Sequence, residues 1–149
     1  MNKKQIIRLV AKRVRKACEV FVDSDECEGY DFHKQRDLDC MCAVASDTLQ
    51  KELRKSGIYA KFIEGKWFDD KDDEWGSAHC WLEWKGYVID ITATQFDIIR
   101  KVILTKNTGN SFYYGKGKGK EMSSRSNLRG WPKEQKPSRK LYKKIMVCA

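Results

Sequence analysis

The sequence lacks a long apolar run, and this absence excludes a membrane-spanning helix. The basic residues near the N-terminus are followed by recurring charges instead of the apolar segment that a secretory signal needs. A chain of 149 residues can bury a core without disulfides, so its six cysteines need not form a disulfide framework. We therefore expect a cytoplasmic protein with reduced thiols. Internal repeats are also absent, and there are only two histidines.

Acidic residues are scarce in the last third of the chain. From residue 101 onward, 13 Lys or Arg stand against 2 Asp or Glu, while the first hundred residues carry a net charge of −2. This imbalance predicts either contact with an anionic partner such as nucleic acid or a solvated, partly flexible tail. We expect one domain over 1–149, with an N-terminal helix over about 2–22, a core over about 38–105 and a basic C-terminal segment over about 106–149.

Apolar residues at helical spacing predict two helices. The first covers about residues 2–22, and its amphipathic stripe favours packing on the domain over lying on a membrane surface. The second follows Asp39, which is predicted as its N-cap, and ends before Gly57, which is predicted at the C′ position. The stripe of the second helix consists of Val44, Ala45, Thr48, Leu49 and Leu53.

Two alternating runs, AHCWLEW and YVIDIT, predict a β-hairpin that turns at Lys85-Gly86. In a two-residue turn Trp84 would face Tyr87, which places His79 and Asp90 on the same face of the sheet. Their side chains would be close enough for a hydrogen bond. A carboxylate in this position fixes the tautomer of the imidazole and stabilises its protonated form.

The start of the second helix offers a nucleophile. Cys42 falls in the first turn, where the helix dipole and the unpaired amides favour a thiolate and could hold an oxyanion. Cys40 fits this argument almost as well, and local chemistry does not separate the two. The sequence around these elements adds a strand at YAKFIEGKWF, an exposed acidic loop over Asp69–Glu74, and a glycine- and lysine-rich loop after which residues from about 115 onward are expected to be peripheral.

Several of these residues occur in a recognisable order. The series Cys42-x14-Gly57-Ile58-x-Ala60-x4-Gly65, His79-x-Trp81-x-Glu83 and Asp90-x-Thr92 resembles the transglutaminase-like superfamily of papain-like cysteine enzymes, over about residues 40–96. The resemblance implies an α+β fold in which a central helix bearing the cysteine packs on an antiparallel sheet bearing the histidine and the aspartate. Cys40 stands where the family usually has glycine, and Cys80 and Ile91 replace its usual alanine and proline.

The resemblance also implies a function. It selects Cys42 as the nucleophile, His79 as the base and Asp90 as the residue that orients the base, in a thiol enzyme that acts on a protein or peptide through an acyl-enzyme. Proteolysis, isopeptide cleavage, deamidation and amine transfer all remain open. No cofactor is implied, and the loop Asp69–Glu74 does not match a calcium-binding loop. Small free-standing versions of this core resemble phage or bacterial accessory proteins.

Further residues are candidates for supporting roles. Gln35, or less well His33, could complete the oxyanion hole, and Thr92 and Gln95 could support Asp90 by hydrogen bonds. Three alternatives stand beside the catalytic interpretation. Cys42 and His79 could be ordinary core residues; the basic C-terminal segment could make the protein a non-catalytic binding module; or four side chains could bind zinc, namely Cys40, Cys42, His79 and Cys80. The sequence does not predict an oligomeric state.

Overall fold

Three α-helices and one antiparallel sheet form the fold, which the computed structural model describes for residues 1–68, 75–107, 113, 120–121 and 128–149. The helices are α1 (Lys3–Val22), α2 (Cys42–Lys55) and α3 (Arg139–Val147). The strands are β1 (Lys61–Trp67), β2 (Ser77–Trp84), β3 (Tyr87–Asp90), β4 (Ile103–Lys106) and the two-residue β5 (Lys120–Glu121). The sheet order is β4-β3-β2-β1-β5, with every neighbouring pair antiparallel. Helix α2 packs against this sheet, so the α+β class predicted from the sequence is confirmed.

Helix α1 matches the predicted N-terminal helix. Its first turn is closed by a capping box, in which the Asn2 side chain accepts from the Gln5 amide and the Gln5 side chain accepts from the Asn2 amide. Its apolar stripe packs against α2 and α3 and is buried in the main core. Over the described part of the chain, no helix is long and apolar enough to cross a membrane.

The start of α2 differs from the sequence prediction. Met41, not Asp39, is the N-cap residue, and no side chain caps this end of the helix. The Asp39 carboxylate instead accepts a hydrogen bond from the amide of Cys40 at 3.1 Å. The prediction of an Asp39 cap was wrong because the chain turns once more at Cys40, where φ is +67°, before the helix begins.

The end of α2 is as predicted. Gly57 has φ +75°, the left-handed conformation that glycine adopts at low cost after a helix. The amide of Ile58 donates to the carbonyl of Leu53 at 3.0 Å, and the amide of Gly57 donates to the carbonyl of Arg54 at 3.0 Å. These two bonds form a Schellman motif, which turns the chain sharply into β1.

The β2–β3 hairpin also follows the sequence prediction. Lys85 and Gly86 both have positive φ, +48° and +79°, as a two-residue type I′ turn requires. Trp84 pairs with Tyr87 and Leu82 with Ile89. Successive residues of β2 therefore point to opposite faces. Cys80, Leu82 and Trp84 belong to the main core beside α2, while Trp81 belongs to a second cluster with Ile63, Trp67, Val88 and Tyr113.

The C-terminal part of the basic segment is built into the core, which corrects the expectation that it is peripheral. Leu141 and Ile145 of α3 lie i, i+4 apart and are buried in the main core at 2% and 0% exposure. Ser138 caps α3 by accepting from the Leu141 amide, and the Tyr142 hydroxyl donates to the buried carboxylate of Glu52 on α2. The acidic loop over 69–74 and most of the glycine–lysine run lie outside the described residues.

The burial of α3 predicts a large effect on stability. We expect Ile145→Ala to lower the free energy of unfolding by about 2–5 kcal/mol, because it removes buried methyl groups and leaves a cavity. Val147→Ala on the same helix is the matched control, since Val147 is 85% exposed and its truncation should cost less than about 0.5 kcal/mol. Urea unfolding monitored by circular dichroism measures both. Equal effects of the two variants would mean that α3 does not pack in the core.

Candidate active site

Asp90 lies at the end of β3 with both carboxylate oxygens engaged. Its Oδ2 is 2.7 Å from Nε2 of His79, while its Oδ1 accepts from the amide of Thr92 at 2.8 Å and from the Thr92 hydroxyl at 3.2 Å. The carboxylate is buried, and its pKa would be raised by that burial. The positive charge and hydrogen bond of His79, with the Thr92 amide, outweigh the burial and hold the pKa of Asp90 below its ordinary value. Asp90 is therefore a fixed anion that orients the imidazole.

His79 is fully buried among aromatic rings. Its ring centroid lies 4.9 Å from that of Phe96, 5.7 Å from that of Trp81 and 6.5 Å from that of Trp67. Burial disfavours the charged imidazolium, but the charge and hydrogen bond of Asp90 and the contact with Cys42 outweigh it and raise the pKa of His79 to about 10. The ring is therefore held in one orientation and protonated at neutral pH.

Cys42 is the first residue of α2, and its side chain contacts two residues of β2. The side chains of Cys80 and His79 both stabilise its thiolate form. One turn later, the Ser46 hydroxyl donates to the carbonyl of Cys80 at 3.2 Å, which fixes β2 across the start of the helix. The hydrogen bond with Cys80, followed by the hydrogen bond and charge of His79, outweighs burial and lowers the pKa of Cys42 to about 5.

The structure distinguishes Cys42 from the other cysteines by the pKa of its thiol. The local sequence could not distinguish Cys42 from Cys40. Burial, together with the charges of Asp39 and Asp31, raises the pKa of Cys40. Burial raises the pKa of Cys27 to about 11 and that of Cys18 to about 12. The pKa values of Cys80 and Cys148 are also raised, chiefly by burial. Cys42 is the one thiol of the six whose environment favours the thiolate.

The backbone before Cys42 is strained in a way that the sequence partly anticipates. Asp37, Leu38 and Cys40 have φ of +55°, +58° and +67°, in the left-handed region that costs a residue with a side chain about 1–2 kcal/mol. Cys40 occupies the position where the superfamily that the sequence resembles usually has glycine. Glycine adopts this conformation readily, so cysteine at this position makes the turn more costly than glycine would.

The supporting residues predicted from the sequence are only partly brought to the site. The Gln95 side-chain amide lies 3.3 Å from Nδ1 of His79 and donates to the carbonyl of Thr92 at 3.0 Å. Thr92 holds the far oxygen of Asp90, as described above. Gln35, in contrast, is exposed and lines a separate depression with Arg15 and Lys101, so the structure does not bring it to Cys42.

A cleft of about 380 Å³ opens beside Cys42. One wall carries the thiol with Gln95, and the facing wall comes from the chain before α3. The lining residues are Asp39, Cys40, Cys42, Ala78, Gln95, Arg129, Gly130, Trp131, Pro132 and Gln135; His33 is not one of them. The second wall is held by two long-range bonds, from Trp131 Nε1 to Glu64 at 2.9 Å and from Gln135 Nε2 to Asp31 at 3.0 Å.

Sequence reasoning missed this wall, and it also missed two supporting side chains. Arg15 is buried within α1, and its guanidinium donates to the carbonyl of Ile91 at 2.7 Å and to the Thr94 hydroxyl at 2.8 Å. These bonds hold the turn that follows Asp90. Cys80 was noted only as a departure from the family pattern or a zinc ligand, yet its side chain contacts the candidate nucleophile. Both roles depend on contacts between distant parts of the chain, for which the sequence carries no local signal.

The described residues hold no candidate metal site, and known proteins provide no match. No group of three or more His, Cys, Asp or Glu side chains could hold a metal ion within the described ranges, which include all four residues of the zinc alternative. No protein-family model, curated protein or solved structure matches the chain. The interpretation of the site therefore depends on its own geometry and chemistry.

The site predicts an unusual pH profile for one thiol. We expect alkylation of Cys42 by iodoacetamide to have its midpoint near pH 5, because the thiolate is already stabilised there. His79→Ala removes one hydrogen bond and one positive charge, so the midpoint should rise by about two pH units or more. The interaction with Cys80 remains and should still lower the pKa of Cys42 in part. Mass-spectrometric mapping of every cysteine against pH measures this. Cys40 is the internal control, and faster labelling of Cys40 than of Cys42 at neutral pH would contradict the assignment.

Proposed function

We propose that this protein is a thiol enzyme of the transglutaminase-like type, with a papain-like core, that acts on an amide or acyl bond of a protein or peptide. One observation carries the proposal: a buried imidazole is held by a carboxylate at 2.7 Å and interacts with a thiol at the start of a helix. The proposed roles are nucleophile for Cys42, general acid and base for His79, and orienting anion for Asp90.

The reaction would begin from the thiolate–imidazolium pair. The Cys42 sulfur attacks the carbonyl carbon, and the His79 imidazolium gives its proton to the leaving amine as the carbon–nitrogen bond breaks. A thioester on Cys42 and a neutral imidazole remain. His79 then takes a proton from water or from an amine as that molecule attacks the thioester, and the departing sulfur regenerates the starting pair. Water gives hydrolysis or deamidation, and an amine gives acyl transfer.

The developing oxyanion has donors within the same site. The first amides of a helix have no acceptors inside the helix, and Cys42 is the first residue of α2. These amides would therefore stabilise negative charge on the substrate oxygen beside the attacked carbon. Gln95 lines the same cleft, and the amide proton that it does not donate to Thr92 would add to them. Thr92 is committed to Asp90 and supports the site only through that carboxylate.

An activated ester tests the acyl-enzyme step without knowledge of the natural substrate. Incubation with p-nitrophenyl acetate should give a burst of p-nitrophenolate and one acetyl group on Cys42, located by mass spectrometry after acid quenching. Cys42→Ala should give neither. Addition of methylamine then separates the two outcomes, because hydrolysis yields acetate and acyl transfer yields the amide. Acetylation that persists in Cys42→Ala at the same rate would reject the proposal.

A further inference from the structure

The cleft beside Cys42 has charged side chains on both walls. Among its lining residues the ionised groups other than the thiol are Asp39 and Arg129. Asp39 stands on the wall that leads into α2, where its Oδ1 accepts from the Cys40 amide. Arg129 stands on the facing wall, next to Gly130 and Trp131. The two walls therefore present opposite charges to whatever enters the cleft.

Arg129 is available to a ligand. Its side chain is exposed, and within the described residues it makes no hydrogen bond and no ion pair. The backbone on either side of it is nevertheless anchored, because Leu128 is 3% exposed in the main core and Trp131 donates to Glu64. A guanidinium on an anchored wall loses little conformational freedom of the main chain when it binds, and its planar fork matches a carboxylate.

Trp131 adds an apolar surface beside this guanidinium. Its indole nitrogen is occupied by Glu64, so the half-buried ring lines the cleft with its position fixed. Pro132 continues this rigid wall. A fixed ring next to a free guanidinium is suited to a short peptide segment that brings an acidic group, since the ring contacts its apolar part and the arginine its carboxylate.

We infer that Arg129 is a specificity-determining residue of the cleft, where it recognises a carboxylate on the acyl donor that Cys42 attacks. The substrate class is therefore a peptide or protein segment that carries an acidic group close to the scissile bond. This inference deepens the proposed function and rests on it. The C-terminal segment would thus contribute to substrate specificity through the Arg129 guanidinium, and it also completes the core through α3.

Two small alkylating agents test this inference without the natural substrate. Iodoacetate and iodoacetamide react with the same thiolate, but only iodoacetate carries a carboxylate. Both rates at Cys42 are proportional to the fraction of the thiol that is ionised, so this fraction cancels in their ratio. The ratio therefore reports how the charges around the cleft affect the approach of an anionic reagent. We expect Arg129→Gln to lower the iodoacetate-to-iodoacetamide ratio roughly three- to tenfold, as one unit charge acting across a small cleft would. Arg129→Glu should lower the ratio further, and added salt should lower the wild-type ratio toward that of Arg129→Gln.

Arg54→Gln is the matched control, because it removes the same charge from the opposite end of α2, about 18 Å from Cys42 along the helix axis. Its ratio should equal that of the wild-type protein. An Arg129→Gln ratio equal to the wild-type ratio, with Cys42 still labelled rapidly, would overturn this inference and leave the proposed function intact. If Cys42 in the wild-type protein shows no selective labelling at neutral pH, the proposed function fails, and the inference fails with it.

Discussion

Replacement of Cys42 by alanine is expected to lower the rate of acyl-enzyme formation from an activated ester by about 10³-fold or more, and replacement of His79 should lower the rate at pH 6 by roughly tenfold or more. Cys42→Ala removes the sulfur that would attack the ester, and His79→Ala removes the hydrogen bond and the charge that stabilise the thiolate. The two side chains act as a unit, so the double variant should be no slower than the slower single variant. Stopped-flow detection of p-nitrophenolate measures all three.

Cys40→Ala provides the control for this experiment. Cys40 lies two residues before the proposed nucleophile and lines the same cleft, but its pKa is raised and it takes no part in the proposed mechanism. We expect its rate to stay within a few-fold of the wild-type rate. A loss in Cys40→Ala that equals the loss in Cys42→Ala would move the nucleophile to Cys40. Additive losses in the double variant would mean that Cys42 and His79 work independently.

Asp90→Asn is expected to reduce the same rate by up to the loss in His79→Ala, because the carboxylate acts on the thiolate through the imidazole. Thr92 donates two hydrogen bonds to Oδ1, so the amide oxygen of the asparagine should remain beside Thr92 and its NH₂ group should face Nε2 of His79. That nitrogen would then have to accept a hydrogen bond, which selects the wrong tautomer and disfavours the imidazolium. The pKa of Cys42 should consequently rise.

The alkylation pH profile distinguishes this electrostatic effect from simple misfolding. In Asp90→Asn the Cys42 midpoint should move upward from pH 5 while the thermal unfolding transition remains cooperative. Thr92→Val is the companion variant, because it removes one of the two donors to Oδ1 and keeps the backbone amide in place. Its rate should fall by less than about tenfold. A midpoint unchanged in Asp90→Asn would show that the carboxylate does not control the thiolate.

The parts of the molecule that the sequence predicts well are those set by local rules. The turn at Lys85-Gly86 needs two residues with positive φ, and once it forms, the two-residue period of a strand determines that His79 and Asp90 share a face. The helix end at Gly57 follows in the same way from the conformational freedom of glycine. Each of these predictions depends on about a dozen consecutive residues or fewer, so it required no information about distant contacts.

The parts that the sequence predicts poorly depend on contacts between distant residues. Trp131 and Glu64 are 67 positions apart, and Gln135 and Asp31 are 104 apart, yet these pairs hold the second wall of the cleft. The basic composition of the last third suggested a peripheral tail. Net charge reflects the many solvent-facing residues of this segment and gives no information about the few apolar residues between them. Leu141 and Ile145 are such residues, and two buried side chains one turn apart suffice to dock a short helix.

The position of this second wall in the chain also sets an order of events during synthesis. Residues 42–90, which carry the thiol, the imidazole and the carboxylate, leave the ribosome before residues 128–147 exist. At roughly 5–20 residues per second, the ribosome needs about 3 to 11 seconds to make the 57 residues from 91 to 147. During that interval the nascent chain lacks both the helix that completes the core and the wall that forms the cleft. A ribosome that stalls in this region would therefore hold a chain that carries Cys42, His79 and Asp90 without the wall that lines the cleft beside them.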